Sequence, residues 1–249
     1  MANTRDFGTL DVTDFTVGAM LRAGVAIRGA VRDATSLEAA ADIVVRYLYQ
    51  RCADDAGARS CALVRFYKTH PYGGLPAEVQ QFVDRQLDGE PAGDDLRCLA
   101  LMATAGELPA WNDRRSSRGH QAIPLSSAES IRAAPMIVRL IEDIGIDIDT
   151  LVGGAEPARQ APASRNYGVF HVEDAIGSAS IPAQEEFVIP HRIASVVGFG
   201  GLLRSGEMFA VVLFSRERIP AASAARFKAI ALDVRSALFS FDDAAIWAH

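Results

Sequence analysis

The sequence has little lysine, few cysteines and no long apolar run. Lysine occurs only at Lys68 and Lys228, although lysine and arginine together number 25. The longest largely apolar stretch, Ile193–Leu203, has 11 residues and includes glycines, whereas a membrane helix needs about 18. We therefore expect no transmembrane helix and no membrane partner. The first residues, Met1–Asp6, also lack the apolar core of a signal peptide.

The three cysteines argue against the disulfide scaffold of a small secreted protein. Cys52, Cys61 and Cys98 are odd in number and contain no CxxC pair. Two of them stand in apolar, strand-like contexts. We therefore expect buried, reduced thiols and a cytoplasmic protein.

The net charge of −6 argues against a nucleic-acid partner, because an acidic chain repels a phosphate backbone. The preference for arginine over lysine has two interpretations. Guanidinium groups suit carboxylates and phosphates, so the arginines could serve anion binding. A genomic base composition that favours arginine and alanine codons is the simpler interpretation.

The common motifs of catalysis and cofactor binding are missing. No GxSxG, HExxH, P-loop or kinase motif occurs. His70, His120, His171 and His191 form no i, i+4 pair, and no cysteine lies within four residues of any of them. We therefore expect no metal, haem, bilin or other cofactor. His171 lies in a strand pattern, where an ordinary hydrogen-bonded histidine is expected.

The remaining pattern runs in the order helix, strands, helical excursion, strands and helix, without a repeat or a linker. The predicted strands are Cys61–Tyr67, Leu96–Met102, Tyr167–Val172, Ile193–Leu203 and Met208–Ser215. The predicted helices begin near Val17, at a Thr35–Glu38 capping box, at Pro76 and at Pro220, with two short helices over 127–134 and 135–144. This order predicts an α+β fold around one antiparallel sheet, not the βα alternation of a doubly wound fold.

The last predicted helix carries a heptad-like seam. Its members are Phe227, Ile230, Val234, Leu238 and Phe241, at spacings of 3, 4, 4 and 3. The seam either packs on the sheet of its own chain or joins two subunits, and the sequence leaves both interpretations open.

Two stretches of the chain resemble a GAF domain, the small-molecule sensory module related to PAS domains. The first runs from Ser36–Ala40 through a helix into Cys61–Tyr67. The second contains Val196–Gly201, a turn, Phe209–Phe214, Ile219-Pro220 and the final amphipathic helix. The blocks Trp111–His120 and Ile181–Phe187 further resemble a GAF-like region found ahead of output modules in bacterial sensor histidine kinases. This second resemblance covers about residues 36–241.

The resemblance implies a central antiparallel sheet with the terminal helices together on one face and a ligand cleft on the other. It implies an N-terminal helical segment, 1–35, followed by one GAF-like domain, 36–249, with an extended excursion at about 103–165. It also implies a homodimer built from the terminal helices. No output motif follows the last helix, so we expect a separate signalling partner such as a histidine kinase.

The excursion contains a cluster of candidate ligand-binding residues, Trp111, Arg114, Arg118 and His120. Several guanidinium donors close together suit a carboxylate or a phosphate. In the alternative interpretation, the cluster is a solvated loop whose arginines pair with local acids. We expect the loop from Trp111 to His120 to fold over the open side of the sheet and to form part of the cleft wall.

Phe199 and Gly200 are candidate ligand contacts on the sheet. They lie in Gly198–Gly201, which is not a dinucleotide fingerprint because a strand follows where a helix should begin. Glycine inside a strand marks a bulge or a close approach, either of another backbone or of a ligand over the sheet.

Three functions are compatible with these observations. The first is a sensory or regulatory domain that binds a small molecule. The second is an interaction module whose cleft is filled by side chains. The third is a hydrolase or transferase that uses the loop from Arg114 to His120 on an anionic substrate. A large cavity favours the first, a closed interior the second, and a histidine–carboxylate pair aimed into the cavity the third.

Overall fold

The computed structural model describes residues 8–53, 57–87, 90–117, 119–132, 135–146, 148, 152, 167–181, 183–241 and 245–248. Within these ranges, six strands form one antiparallel sheet. The strands are β1 (Cys61–Pro71), β2 (Arg97–Gly106), β3 (Ala122–Pro124), β4 (Tyr167–Val172), β5 (Ser195–Leu202) and β6 (Met208–Ser215). The helices are α1 (Val17–Ala30), α2 (Leu37–Arg51), α3 (Ala77–Asp84), α4 (Ala128–Arg132), α5 (Pro135–Ile144) and α6 (Ala221–Leu238). The predicted α+β class with one antiparallel sheet is confirmed.

The order of strands across the sheet is β3-β2-β1-β6-β5-β4, so β1 is central and pairs with both β2 and β6. Successive side chains of a strand point to opposite faces of the sheet. On β1, Val64 and Phe66 pack into the core on one face, while Leu63 and Tyr67 pack into the core on the other. The two faces of the sheet therefore have separate cores.

The first core lies between the sheet and the helices α1, α2 and α6. The ring of Phe227 on α6 stacks on Phe199 of β5 at 5.5 Å between centroids and touches Phe15, just before α1, at 4.9 Å. The Phe15 amide donates to the Ser223 hydroxyl at 3.1 Å. Residues 8–35 therefore share one core with the sheet, and the terminal helices lie on the same face, as expected.

The N-terminus of α2 differs from the predicted capping box. Ser36, not Thr35, is the cap, and its hydroxyl accepts the Ala39 amide at 3.1 Å. The Glu38 carboxylate does not return to the cap, because it binds Arg114 instead. The prediction failed because Thr35 and Ser36 are adjacent hydroxyl residues that both suit a helix start.

The heptad-like seam on α6 packs against the sheet and helices of its own chain. Phe227, Ile230, Val234 and Leu238 are at most 1% exposed, and Phe241 is 8% exposed, all within the core on the helical face. The interpretation of these residues as a subunit seam is therefore wrong, since their surface is already covered by the protein's own sheet and helices.

The chain between β2 and β4, together with a segment between β4 and β5, covers the second face of the sheet. β2 extends to Gly106, beyond the predicted end at Met102, and β3 pairs with its other end. The sequence did not predict β3, because it has three residues and ends in proline. Helix α5 and a π-helical turn, Gln184–Val188, pack over this face. In the part of the chain that the structure describes, no helix is both long and apolar enough to cross a membrane.

Candidate functional site

A cavity of about 680 Å³ opens on the face of the sheet opposite the terminal helices. Its floor is formed by alternate residues of the strands, because only every second side chain points to this face. The floor residues are Leu63, Arg65 and Tyr67 of β1, Leu99 of β2, Ile123 of β3, Phe170 of β4, Gly198 of β5, and Ala210, Val212 and Phe214 of β6.

The first wall is the segment from Leu108 to His120, which is built from two short 3-10 turns. Asn112 fastens this segment to the end of β2. Its side-chain amide donates to the carbonyls of Gly106 and Leu108 at 2.8 and 2.9 Å, and its oxygen accepts the Gly106 amide at 3.2 Å. The expectation that this loop folds over the open side of the sheet is confirmed.

The second wall is the segment that contains the π-helical turn Gln184–Val188. The Gln184 side chain donates to the carbonyls of Ala175 and Ile181 at 3.0 and 2.7 Å and accepts the Gly177 amide at 2.8 Å. These bonds fix the turn, from which Phe187 lines the cavity. The third wall is the first part of α5, from Pro135 to Leu140.

An aromatic cluster joins the first two walls to the floor. The Trp111 ring lies 4.6 Å from the His191 ring and 5.7 Å from the Phe187 ring, between centroids. Phe187 in turn meets Phe214 of β6 edge-on at 4.9 Å. Edge-to-face contacts of this kind stabilise the arrangement beyond the area they bury. One side of the cavity is therefore lined by packed aromatic rings.

A polar corner lies around Arg65, which extends from the centre of the sheet. Its Nη1 donates to the Tyr67 hydroxyl at 3.2 Å, and its Nη2 donates to the Ser117 hydroxyl at 3.4 Å. Its Nε is buried and has no hydrogen-bond partner among the described residues. Thr104, opposite Arg65 on β2, also has a buried hydroxyl without such a partner. The corner therefore has polar groups that the described chain does not satisfy.

His120 completes the polar corner. Burial of its ring, followed by the positive charge of Arg65, lowers the pKa of His120 below its ordinary value. The residue is exposed on the cavity wall. Its φ of 58° is left-handed, which is uncommon outside glycine. His120 is therefore held as a neutral, polar group beside the Arg65 charge at neutral pH.

Of the predicted site residues, Trp111 and His120 lie on the cavity wall. Arg118 is outside the described residues. The wall also includes Ser116 and Ser117, which lie between Arg114 and Arg118 in the sequence.

Arg114 does not line the cavity. It is buried, its Nε donates to Glu38 Oε1 at 2.5 Å, and its guanidinium lies 5.0 Å from the centre of the Trp247 ring. Glu38 Oε2 accepts the Ala248 amide at 2.8 Å. Arg114 therefore joins the wall segment to α2 and to residues 245–248, and the proposed ligand site does not include it.

Phe199 and Gly200 do not line the cavity either. Phe199 is fully buried against Phe227 on the helical face, because strand alternation turns it away from the cavity. A Cβ at Gly200 would overlap the carbonyl oxygen of Phe209 on β6. The close approach that the sequence indicated at Gly200 is thus one of backbone to backbone, while the glycine on the cavity floor is Gly198.

Sequence reasoning missed Arg65, Tyr67 and Phe187. A signal existed for Arg65, because it is a charged residue inside the otherwise apolar and aromatic strand pattern Cys61–Tyr67. A charge at such a position must meet polar groups on its face of the sheet. No comparable signal marked Phe187, whose role depends on the π-helical turn.

Two observations concern metal ligands and histidines among the described residues. No group of three His, Cys, Asp or Glu side chains among them is close enough to hold a metal ion. His171 bonds through Nε2 to the Ile219 carbonyl at 2.8 Å, as an ordinary structural histidine. The geometry is that of a cavity with a polar corner and largely apolar walls.

No protein-family model matches this chain, and no curated protein matches it. Among solved structures, the chain is similar to the GAF domain from Acinetobacter phosphoenolpyruvate-protein phosphotransferase. The identity is 15% and the TM-score 0.42, over 88% of this chain and 92% of that one. It is also similar to the N-acylhomoserine lactone dependent LuxR family transcription factor CepR2 from Burkholderia cenocepacia, at 12% identity and a TM-score of 0.34, over 89% and 95% of the two chains. At this level of similarity, the ligands of those proteins say nothing about this one.

Proposed function

We propose that this protein is a GAF-like sensory or regulatory domain that binds a small molecule in the cavity between the sheet and the wall segments. Occupancy of the cavity is transmitted through helix-mediated dimerisation or through a partner output protein, such as a histidine kinase. The observation that supports binding is the cavity itself, whose volume of about 680 Å³ lies within the usual range of small-molecule sites, roughly 300–1,000 Å³.

The lining of the cavity also supports this function. Most of the lining is apolar or aromatic, and the polar groups converge around Arg65. That combination gives a ligand both burial energy and a fixed orientation. An interaction module without a ligand would instead fill such a space with its own side chains, because protein interiors are close-packed.

The surface of the terminal helices supports the proposed dimer. Val17, Leu21 and Val25 are each at least half exposed and recur every four residues along α1. On and just after α6, Leu232 and Phe239 are 49% and 60% exposed. The ion pair between Arg28 and Asp233 holds the two helices side by side. We therefore propose that a second copy of the chain covers these side chains.

The dimer has a direct test. The wild-type protein is expected to elute as a dimer at high micromolar concentration in size exclusion with light scattering, and Leu21→Glu is expected to shift it to monomer. Val212→Thr, inside the cavity, is the control that leaves the dimer intact. A wild-type monomer at that concentration contradicts the proposed dimer but not the cavity.

Ligand binding is tested with the two tryptophans of the chain. Trp111 lines the cavity and Trp247 does not. In a Trp247→Phe variant, the neutral apolar dye N-phenyl-1-naphthylamine is expected to quench Trp111 emission saturably. In the matched Trp111→Phe variant, Trp247 emission is expected to change little.

Native mass spectrometry, followed by a denatured run, shows whether a ligand has co-purified and occupies the cavity before the dye is added. A protein that carries no ligand and does not take up the dye would contradict the proposed function.

A further inference from the structure

Arg65 is a cation without a counter-ion in the described chain. Its hydrogen bonds go to two neutral hydroxyls, those of Tyr67 and Ser117, and its Nε has no described partner. It is only partly exposed, and the surrounding floor is apolar. A guanidinium cannot lose its proton at any relevant pH, so the charge stays in place.

Several other arginines of the structure are paired with acids. Arg28 pairs with Asp233, Arg46 with Asp42, Arg97 with Glu207, Arg114 with Glu38, Arg216 with Glu107, and Arg218 with Glu173 and Asp174. Arg65 differs from these in its place as well, since it lies on the central strand and faces the cavity.

An unpaired charge beside apolar surface is costly, because it loses hydration without gaining a partner. The protein retains this charge on the floor of its cavity. The buried hydroxyl of Thr104, the cross-strand neighbour of Arg65, also has no partner among the described residues. The cost is offset once an anionic group binds between the guanidinium and the neighbouring hydroxyls.

We propose that the natural ligand is an amphiphilic monocarboxylate whose carboxylate binds Arg65, with the hydroxyls of Tyr67 and Ser117 beside it, and whose apolar body lies against Trp111 and Phe187. This inference rests on the proposed function, because it names the class of ligand for the same cavity.

The charged residues that line the cavity favour a ligand with one negative charge over a ligand with two. Among the described lining residues, Arg65 is the permanent cation and Glu186 the carboxylate, and His120 and His191 are the two titratable rings. A monoanion neutralises Arg65, whereas a phosphate monoester with nearly two charges leaves an excess that Glu186 repels. The lowered pKa of His120 keeps the imidazole neutral, so it adds no second cation.

The walls favour an apolar body on this anion. Beyond the polar corner, the ligand meets the ring edges of Trp111 and Phe187, Phe214 on the floor, and Met136 and Leu140 of α5. Such a surface stabilises a hydrocarbon or aryl group by about 25 cal/mol for each Å² removed from water. A small hydrophilic acid would leave this surface wet.

The test compares three compounds whose straight hydrocarbon chains are of nearly equal length. Decanoate carries a carboxylate, methyl decanoate is neutral, and decyl phosphate carries the larger charge. Each is titrated below its micelle concentration into the Trp247→Phe protein, with Trp111 emission as the readout and calorimetry as confirmation. Decanoate is expected to bind at least about tenfold more tightly than the ester, since one or more charge-assisted hydrogen bonds are involved.

Variants of Arg65 test whether the preference for decanoate over its methyl ester depends on this residue. Arg65→Met is expected to weaken decanoate binding by about tenfold or more and to leave the ester unchanged, while Arg65→Lys keeps part of the preference. Arg218→Met removes one positive charge outside the cavity and is the matched control, with no effect expected. Circular dichroism and the melting temperature show that each variant is folded.

The outcomes separate this inference from the proposed function. Equal binding of decanoate and ester, unaffected by Arg65→Met, overturns the carboxylate inference and leaves the small-molecule cavity standing. Tighter binding of decyl phosphate than of decanoate overturns the assignment of the head group. Failure of all three compounds, together with uptake of N-phenyl-1-naphthylamine, also overturns the amphiphilic carboxylate. Failure of the dye as well, in protein that carries no co-purified ligand, removes the proposed function.

Discussion

Replacing Arg114 with alanine is expected to lower the melting temperature of the protein markedly in the absence of any ligand. Arg114 is 7% exposed, and its guanidinium lies between the Glu38 carboxylate of α2 and the ring of Trp247. The substitution leaves Glu38 nearly buried, with the Ala248 amide at 2.8 Å as its remaining described partner. The negative charge of Glu38, which was paired with Arg114, thus becomes uncompensated.

The magnitude follows from the burial of this pair. Removing one partner of a buried ion pair costs about 3–5 kcal/mol of unfolding free energy, because the other charge stays desolvated. In a domain of this size, about 1 kcal/mol corresponds to about 2–4 °C. The melting temperature is therefore expected to fall by about 6–20 °C. An exposed pair is worth about 0–1 kcal/mol, so Arg218→Ala is the surface control.

A double-mutant cycle with Glu38→Gln isolates the pair, with unfolding in urea followed by circular dichroism. The double variant removes both charges, so its loss of stability is expected to be smaller than the sum of the single losses, by about 0.5–3 kcal/mol. In a Trp111→Phe background, the emission of Trp247 is also expected to shift to the red in Arg114→Ala, because residues 245–248 lose a contact with the wall segment.

In the same melting experiment, a substitution of Arg65 is expected to have the opposite effect on stability. Arg65→Met removes an unpaired charge, so the melting temperature of the unliganded protein is expected to stay the same or to rise. The reasoning is refuted if Arg114→Ala leaves the melting temperature within about 2 °C of the wild type and abolishes the stabilisation by decanoate. Arg114 would then be a ligand contact, as the sequence alone suggested.

Two further predictions concern stability and do not involve the ligand. Burial and then the charge of Lys68 lower the pKa of His70 to about 4, from 6.5 in the unfolded chain. The unfolded chain therefore takes up this proton first as the pH falls, and the free energy of unfolding falls between about pH 6.5 and pH 4, by at most about 3 kcal/mol. Urea unfolding at several pH values is expected to show a flatter profile for His70→Gln, and an unchanged slope would contradict the lowered pKa. Gly200→Ala is expected to destabilise the protein by about 1–3 kcal/mol, because its Cβ overlaps the Phe209 carbonyl. Gly198→Ala is the milder control, because its Cβ would approach a side-chain atom of Phe170 at 3.2 Å and not a backbone carbonyl. Equal losses in thermal melts would refute the assignment of Gly200 to a backbone contact.

Local pattern was sufficient to predict much of the secondary structure. The bounds of β4 and β6, Tyr167–Val172 and Met208–Ser215, agree with the prediction, since β-branched and aromatic residues between turn residues leave few alternatives. Helix α5 begins at Pro135 as predicted, because proline suits a first turn and disrupts a helix interior. The order of these elements then sufficed for the α+β class.

The loop over the sheet illustrates where prediction from the sequence ends. The density of polar residues from Trp111 to His120 correctly indicated a wall of the cleft. Side chains that are neighbours in the sequence nevertheless point in different directions, because the 3-10 turn Arg114–Ser116 rotates successive side chains around its axis. The Arg114 side chain donates a hydrogen bond to Glu38, 76 positions away, while the Ser117 hydroxyl accepts one from Arg65, 52 positions away.

The sequence by itself determined which segments are strands and helices and that the loop carries polar groups, because these depend on nearby residues. Tertiary structure alone decided which face of each strand meets the cavity. Gly198 and Phe199 are adjacent, and alternation places them on opposite faces, but only the packing of α6 on Phe199 shows that the face of Gly198 is the cavity floor. Arg65 became a candidate anchor in the same way, since its lack of a counter-ion among the described residues depends on residues distant in the chain.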